Sequence, residues 1–443
     1  MTRVAVIGGG LAGMAASVAL AGAGFEVDIF EARPFLGGRA SSYTLPDGEE
    51  IDNCQHVLLP CCINLLDLYA RLGVGGCIAF HDEIPFIEPG GRVSVLRPGR
   101  LPAPLHFTGS FLRLPFLDFA DKRAVARGLA AILRERGRAD LESITMLDWL
   151  REKRQTAAAL SRFWGPVLVS AINEDLDRMA ASHAFQVFLL GFLGRAGAAR
   201  IGLPSVALGK LYDAEAWRRI PAVRLRTRTP VDRLAIAGGR LEAVVCSGER
   251  LAADFCVIAL PPEKLHDVAP EICPDLSGWE HSPITGIHLW LDRPVTALPF
   301  AALLDGTIQW FFDKGQGRRL QLVVSASRSL VGLPRAGIVA LAMREIAGFL
   351  PAAAGARLEK AHVVKEMHAT FSARPGLEAR RPGPATALSN LFLAGDWTRT
   401  GWPATMEGAV RSGYLAAEAV TAAAGRPARF LVPDAVAVES GSR

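Results

Sequence analysis

The sequence predicts an α/β fold: a Rossmann-like, parallel-sheet domain assembled from separated stretches of chain, with an α+β domain inserted between them. Three observations carry this. The first thirty or so residues read strand, glycine turn, helix, strand, and residues 390–420 read strand, turn, helix once more. The stretches between differ in texture, one with helical apolar spacing and the other with strand-like alternation. At 443 residues the chain also exceeds one ordinary core and divides into at least two domains.

Taken in order, "VAVIG" reads as a buried parallel strand and "LAGMAASVALAGAG" as an Ala-rich helix able to pack closely on a sheet. Between them Gly8, Gly10 and Gly13 form GxGxxG, which permits a tight turn, lets backbone approach a pyrophosphate and lets helix meet strand. The helix amino terminus offers phosphate its unsatisfied N–H groups and partial positive charge. A second strand, "EVDIF", ends at Glu31, the acid expected on a ribose hydroxyl. "EARPFLGGRASSY" then adds Gly38 and Arg39, a backbone surface beside a cation able to meet phosphate, which favours FAD over NAD.

At the far end "NLFLAG" reads as another buried strand, with Asp396 at its carboxyl end, where ligands of open α/β sheets sit. "PATMEGAVRSGYLAAEAV" is expected to start a helix with Pro403 in its first turn. In the middle, residues 229–262 alternate around "AGG" and "SGE" turns as a hairpin-like ribbon leading to the buried strand "DFCVIALPP". The expected cofactor domain is therefore discontinuous, over 1–80, 206–284 and 386–425. A helical insertion occupies 81–205, a substrate-domain sheet 285–385, and a flexible tail 426–443.

In the helical insertion, Ser143 is the expected cap of "SITMLDWL". "PAPLHFTGSFLRLPFLDF" packs Phe and Leu between prolines, the texture of an amphipathic mouth to a lipid tunnel resting on a membrane. "GIHLWLDRPV", "RRLQLVVSAS" and "AHVVKEMHATF" read as strands. Helices over this sheet would enclose a cavity above the cofactor. The longest apolar stretch, 184–194, falls short of the ~20 residues a bilayer span needs, and no secretory signal opens the chain. The expected location is cytoplasmic, with peripheral contact to the inner face of the membrane. Seven scattered cysteines without a CxxC pair suit reduced thiols, and the net charge of +5 is spread out, so no nucleic-acid partner is expected.

The glycine turn, "EARPFLGGRASSY" and the strand–Asp396–helix unit together resemble the flavin amine oxidase and phytoene desaturase superfamily. That resemblance implies FAD held by Gly8, Gly10, Leu11, Ala12, Gly13, Glu31 and Ala32, by Gly38 and Arg39, and by Val231 near the adenine. It also implies Gly395, Asp396, Ala404, Thr405 and Met406 beside the ribityl chain and the isoalloxazine. "DNCQHVLLPCC", "LPAPLHF", "WGPVLVSAINED" and "GDWTRTGWPATMEGAVRSG" narrow it, being similar to the hydroxysqualene dehydroxylase family over nearly the whole chain. Cys54 departs from that family's usual glycine. If the position needs a positive φ, Cys is strained there.

This narrower resemblance implies reductive dehydroxylation: hydroxysqualene and reduced flavin give squalene, water and oxidised flavin. An allylic alcohol leaves well only as water, so the site needs a proton source near the oxygen and an apolar tube for the chain. His56 is the natural acid, with Asp52 or Gln55 fixing its tautomer or bonding the leaving water. Glu407 is a rival acid. Cys61 and Cys62 are assigned to packing, and the histidines at 281, 288, 362 and 368 show no metal-helix spacing and receive no ligand role. Two further readings stay open: a carotenoid-type desaturase running electrons the other way, and a non-catalytic isoprenoid carrier. An amine oxidase would need an aromatic cage, which four Tyr make a poor expectation. A single dinucleotide fingerprint speaks against a second, nicotinamide site, and the electron donor is left open.

Overall fold

The computed structural model describes residues 2–195 and 197–434. Its smaller core is an all-parallel sheet of five strands in the order Leu391–Leu393, Phe255–Ile258, Arg3–Ile7, Glu26–Phe30, Val223–Arg226. The first four of these strands are buried along nearly their whole length, as their mainly apolar runs require, whereas the edge strand Val223–Arg226 buries only Val223. The strand order reverses on either side of Arg3–Ile7, which opens a crevice at its carboxyl end. Helices Leu11–Gly22 and Met406–Ala423 cross closely on this sheet. A Cβ at Gly413 would lie 2.1 Å from the Ala12 carbonyl, so the two chain ends meet through bare backbone. Residues 233–252 form the expected antiparallel ribbon, as strands Arg233–Ala237, Arg240–Cys246 and Glu249–Ala252.

The larger sheet has seven strands, in the order Leu358–Phe371, His281–Leu291, Arg319–Val324, Trp310–Gly315, Phe300–Leu303, Ile84–Ile87, Val93–Leu96. Helix Arg335–Phe349 covers one face through Ile338, Ala342 and Ile346, all fully buried. Helices Phe119–Arg134, Met146–Glu152, Gly165–Ile172 and Ala181–Phe188 form a third core around Trp149, Trp164 and Phe188.

Several local expectations are corrected. The 81–205 stretch is not purely helical: Ile84–Ile87 pairs in parallel with Phe300–Leu303 and so joins the larger sheet. Conversely, the 285–385 stretch carries the Arg335–Phe349 helix. Thr145, not Ser143, caps Met146–Glu152, its hydroxyl accepting from Asp148 N at 3.1 Å. Pro403 lies before the Met406–Ala423 helix, whose cap is Thr405, accepting from Gly408 N at 3.1 Å.

The tail is not free over 426–434. Glu418 accepts from Phe430 N and Leu431 N, Asn64 accepts from Val432 N at 2.8 Å, and Asp434 pairs with Arg411 at 2.9 Å. The remainder of that tail, 435–443, lies outside the described residues. Among the described residues, no helix is long and apolar enough to cross a membrane.

Candidate active site

A cavity of about 860 Å³ opens from the crevice of the parallel sheet. Gly8, Gly10, Leu11, Ala12, Glu31 and Ala32 line it from the amino-terminal unit, with Gly38, Arg39 and Val231 beside them. Gly395, Asp396, Ala404, Thr405 and Met406 line it from the carboxyl-terminal unit. Gly13 stands behind the turn. A Cβ there would sit 1.9 Å from Gly8 O, so its work is close helix–strand packing. Much of the remaining wall is apolar, drawn from Ile84, Phe86 and Leu96 of the larger sheet and from Val167, Leu190 and Phe192 of the helical insertion, with Ser170, Gln186, Ser325 and Thr370 among its polar members.

The glycine turn fits a dinucleotide on steric grounds. Gly8 holds φ +106°, and a Cβ on it would lie 2.6 Å from Ala259 O. Only bare backbone forms that turn; Gly8 N donates to Phe30 O at 2.8 Å and Gly9 N is taken by Glu31, so the donors left for phosphate are the first amides of helix Leu11–Gly22. Glu31 accepts from Gly9 N and Arg33 N, both at 2.8 Å, which pins its carboxylate at the end of the second strand. Arg39 donates to Asp396 Oδ1 at 2.6 Å and to Ala369 O at 2.9 Å. Its charge is thus shared between Asp396 and the cavity rather than standing free for phosphate alone.

The polar stretch at 52–56 also meets the cavity, but not as a single relay. Asp52 accepts from Ser42 Oγ at 2.7 Å and Leu208 N at 3.0 Å and pairs with Lys314 at 3.3 Å. It makes no hydrogen bond to His56, which corrects the expectation that it sets the tautomer. The His56 ring instead places Nδ1 3.3 Å from Cys54 O. That contact suits a proton on Nδ1 and leaves Nε2 as the acceptor of the neutral ring. Burial lowers the His56 pKa, against a smaller upward pull from Asp52, so the ring is neutral at pH 7. Gln55 donates to His56 O at 3.1 Å, and its Oε1 is buried without a partner. His56 and Gln55 line the cavity; Asp52 does not. Cys54 sits at φ 63°, the left-handed region that glycine prefers, with its sulfur against the Gly286 backbone.

Glu407 is corrected too. It lines the cavity but is almost fully buried, and its carboxylate accepts from Asn64 N at 3.2 Å, Asn64 Nδ2 at 2.8 Å and Leu65 N at 2.8 Å. Those are the first amides of helix Ile63–Leu72, whose own N-cap residue, Cys62, supplies no side-chain bond. Glu407 is therefore the missing cap of a neighbouring helix.

A family model described as flavin containing amine oxidoreductase matches residues 11–421. The chain belongs to this family. Among curated relatives, a hydroxysqualene dehydroxylase of Rhodopseudomonas palustris is 31% identical, covering 95% of this chain and 98% of its own. A zeta-carotene desaturase of Capsicum annuum is 28% identical, covering 94% and 80%. A cyclohexylamine oxidase from Brevibacterium oxydans shares the fold at a TM-score of 0.67 and 19% identity, over 96% of this chain and 100% of that one. This member of the family is accordingly an FAD-dependent oxidoreductase with the α/β architecture the sequence predicts.

Other site residues of this family member were not singled out from the sequence. Asn53 Nδ2 bridges Arg39 O at 3.0 Å and Glu366 Oε2 at 3.2 Å, bringing a further carboxylate to the cavity. Asn173 ends helix Gly165–Ile172 at φ 59° and donates to Ser282 O and Thr370 Oγ1, both at 2.9 Å, while accepting from Ala326 N at 2.8 Å. It ties the helical wall to the sheet. An Asn after an apolar helical run is a legible left-handed cap signal, although its partners are not legible.

Proposed function

We propose that the protein reductively dehydroxylates a long-chain isoprenoid alcohol of the hydroxysqualene type, releasing squalene and water. The observation that carries this reading is the Gln55–His56 pair. Two polar side chains with spare hydrogen-bonding capacity stand at a cavity whose far wall is largely apolar. A polyene hydrocarbon offers them nothing to bond, whereas an alcohol does.

FAD, when bound and reduced, supplies the hydride. The chain's own residues manage the oxygen. With Nδ1 held by Cys54 O, His56 Nε2 meets the substrate hydroxyl, and Gln55 orients it. A solvent proton taken up at Nε2 and passed to that oxygen would let the C–O bond break with water as leaving group, returning His56 to its neutral Nδ1–H form and leaving an allylic cation at the carbon to which reduced FAD would supply the hydride. The apolar wall shields that cation from water.

The segment at 101–119 supports docking on the cytoplasmic face of a membrane. Leu101, Leu105 and Leu112 are half exposed and Phe119 is 83% exposed, with the exposed cations Arg100, Arg113 and Arg123 alongside. Phe107 and Phe111 of the same segment pack in one cluster with Leu96 and Phe192 of the cavity wall, which sets the exposed segment beside the site.

The test is anaerobic. Protein reduced with dithionite is mixed with hydroxysqualene, and squalene is sought by mass spectrometry while flavin reoxidation is followed by absorbance. Squalene with matching reoxidation supports the proposal. A second reading, a carotenoid desaturase, is favoured by the similar identity to the zeta-carotene desaturases. It wins if no squalene forms and the oxidised protein desaturates a carotene. Neither product, with no reoxidation, would indicate a lipid carrier.

A further inference from the structure

Outside the cavity, three side chains with metal-ligand chemistry converge from three segments. Glu263 sits in the first turn of helix Pro262–Val268, His281 opens strand His281–Leu291, and His368 lies near the end of strand Leu358–Phe371. One donor atom of each lies within 4.8 Å of the other two. The two imidazoles stack with ring centroids 4.3 Å apart and 23° between planes, and His281 Nε2 meets Glu263 Oε1 at 2.5 Å. His281 Nδ1 is buried without a partner.

The strand ladder explains how the histidines meet. His281 pairs with Phe371 and Ser282 with Thr370, but the next pair is Ile284 with Glu366. Residues 367–369 therefore bulge out opposite Pro283, and His368 leaves the ladder on that bulge. Sequence spacing hides this, because 87 positions separate the two histidines and no short motif joins them to Glu263.

Two imidazoles and a carboxylate form a donor set that suits borderline ions of the zinc, copper and nickel class and is poor for magnesium or calcium. The side chains of His281 and Glu263 are 27% and 41% exposed, so water can complete the coordination shell. Bonds of about 2.0–2.1 Å hold tetrahedral donors roughly 3.3 Å apart, so the His281–Glu263 contact of 2.5 Å must open to admit the ion while His368 adjusts toward it, shifts of roughly 1 Å within reach of side-chain rotation.

We propose that Glu263, His281 and His368 bind one divalent transition ion of this class. The ion would staple a helix of the cofactor domain to the edge strand Leu358–Phe371 and its neighbour His281–Leu291 in the larger sheet. The staple lies next to the cofactor cleft, because Arg39 donates to Ala369 O one residue from His368.

Flavin-loaded full-length protein, stripped with chelator and dialysed, is titrated with Zn²⁺ by calorimetry, with metal content measured after gel filtration. One Zn²⁺ per chain is expected, together with a higher melting temperature. His281→Gln and His368→Gln should each weaken binding at least roughly 100-fold, more than loss of an outer-shell partner costs. Glu263→Gln keeps a hydrogen bond to His281 but loses the anionic ligand, and should also weaken binding while leaving the flavin spectrum unchanged. Absence of Zn²⁺ binding by the parent protein, or equal stoichiometric binding by the His281→Gln/His368→Gln double variant, overturns the proposal.

Discussion

Arg39 and Asp396, 357 positions apart in the chain, meet at 2.6 Å across the cavity mouth. Each belongs to a different cofactor-binding unit, so this contact joins the two ends of the chain where the dinucleotide lies. Asp396→Asn leaves Arg39 with a neutral partner, and Arg39→Gln leaves a carboxylate, 8% exposed, without its cation. Both variants should release FAD faster than the parent. A double-mutant cycle on FAD affinity should give coupling of about 1–3 kcal/mol. Flavin retained through gel filtration, quantified by absorbance, measures it.

In the proposed reaction His56 handles the proton. Because burial lowers its pKa, the charged form is present only on the acid side of the ordinary value of 6.5. A proton donor of this kind gives a kcat/KM that falls as pH rises through the lowered pKa. His56→Gln should flatten that limb and reduce turnover about 10²–10⁴-fold, with flavin content unchanged. A pH–rate profile of parent and variant, each normalised to bound flavin, checks both points.

Glu407 has a structural duty: burial raises its pKa, but its carboxylate is committed to the amides of Asn64 and Leu65. Glu407→Ala removes the acceptor for two backbone amides and one side-chain amide, at a cost of about 2–4 kcal/mol by analogy with lost caps and orphaned buried donors. Glu407→Gln should cost less, since one acceptor oxygen remains. Urea unfolding gives the stability. Turnover per bound flavin in the Gln variant should stay within about threefold of the parent, against the orders of magnitude lost when a general acid is removed.

Two buried histidines set the acid limit of the fold. Burial drops the pKa of His183 and of His288 to about 3, and both ring nitrogens of His288 lack partners. Unfolded, each ring takes a proton near 6.5, so the unfolded state binds more protons below that pH. Their contribution to stability is complete above 6.5 and is lost progressively as pH falls toward 3. His288→Gln should flatten this acid limb, read as denaturation midpoints between pH 4 and pH 8.

The exposed apolar segment predicts lipid dependence. Phe119→Glu with Leu112→Glu should abolish sedimentation with anionic vesicles while leaving flavin binding intact. Raised salt should weaken the parent's binding, because its arginines are screened.

Much of this was written locally. GxGxxG, the acid at the end of the second strand and the 390–420 unit are short, contiguous patterns whose backbone demands are fixed by sterics, so they read directly. The seven-stranded sheet is different. Ile84–Ile87 pairs with Phe300–Leu303 across more than 200 positions, and nothing in "IPFI" specifies that neighbour. Glu407 misleads for the same reason: a carboxylate in the first turn of one helix was read as chemistry, when it caps another helix 343 positions away. Cys54 was the opposite case. Its departure from glycine was visible in sequence, and the positive φ follows from the same backbone.

The interleaved order of strands also fixes a timetable for synthesis. Every strand of the larger sheet has left the ribosome once Phe371 has, but the smaller sheet waits for Leu391–Leu393 and for the Met406–Ala423 helix. At about 5–20 residues per second, its first strand spends roughly 20–80 s before the sheet's last strand, Leu391–Leu393, exists. The cofactor's berth is therefore the final part of the molecule to close, and the apolar amino-terminal strands need a chaperone's cover or rapid provisional pairing in the meantime. A nascent chain stalled before Leu391 should hold its lipid-side sheet and no flavin.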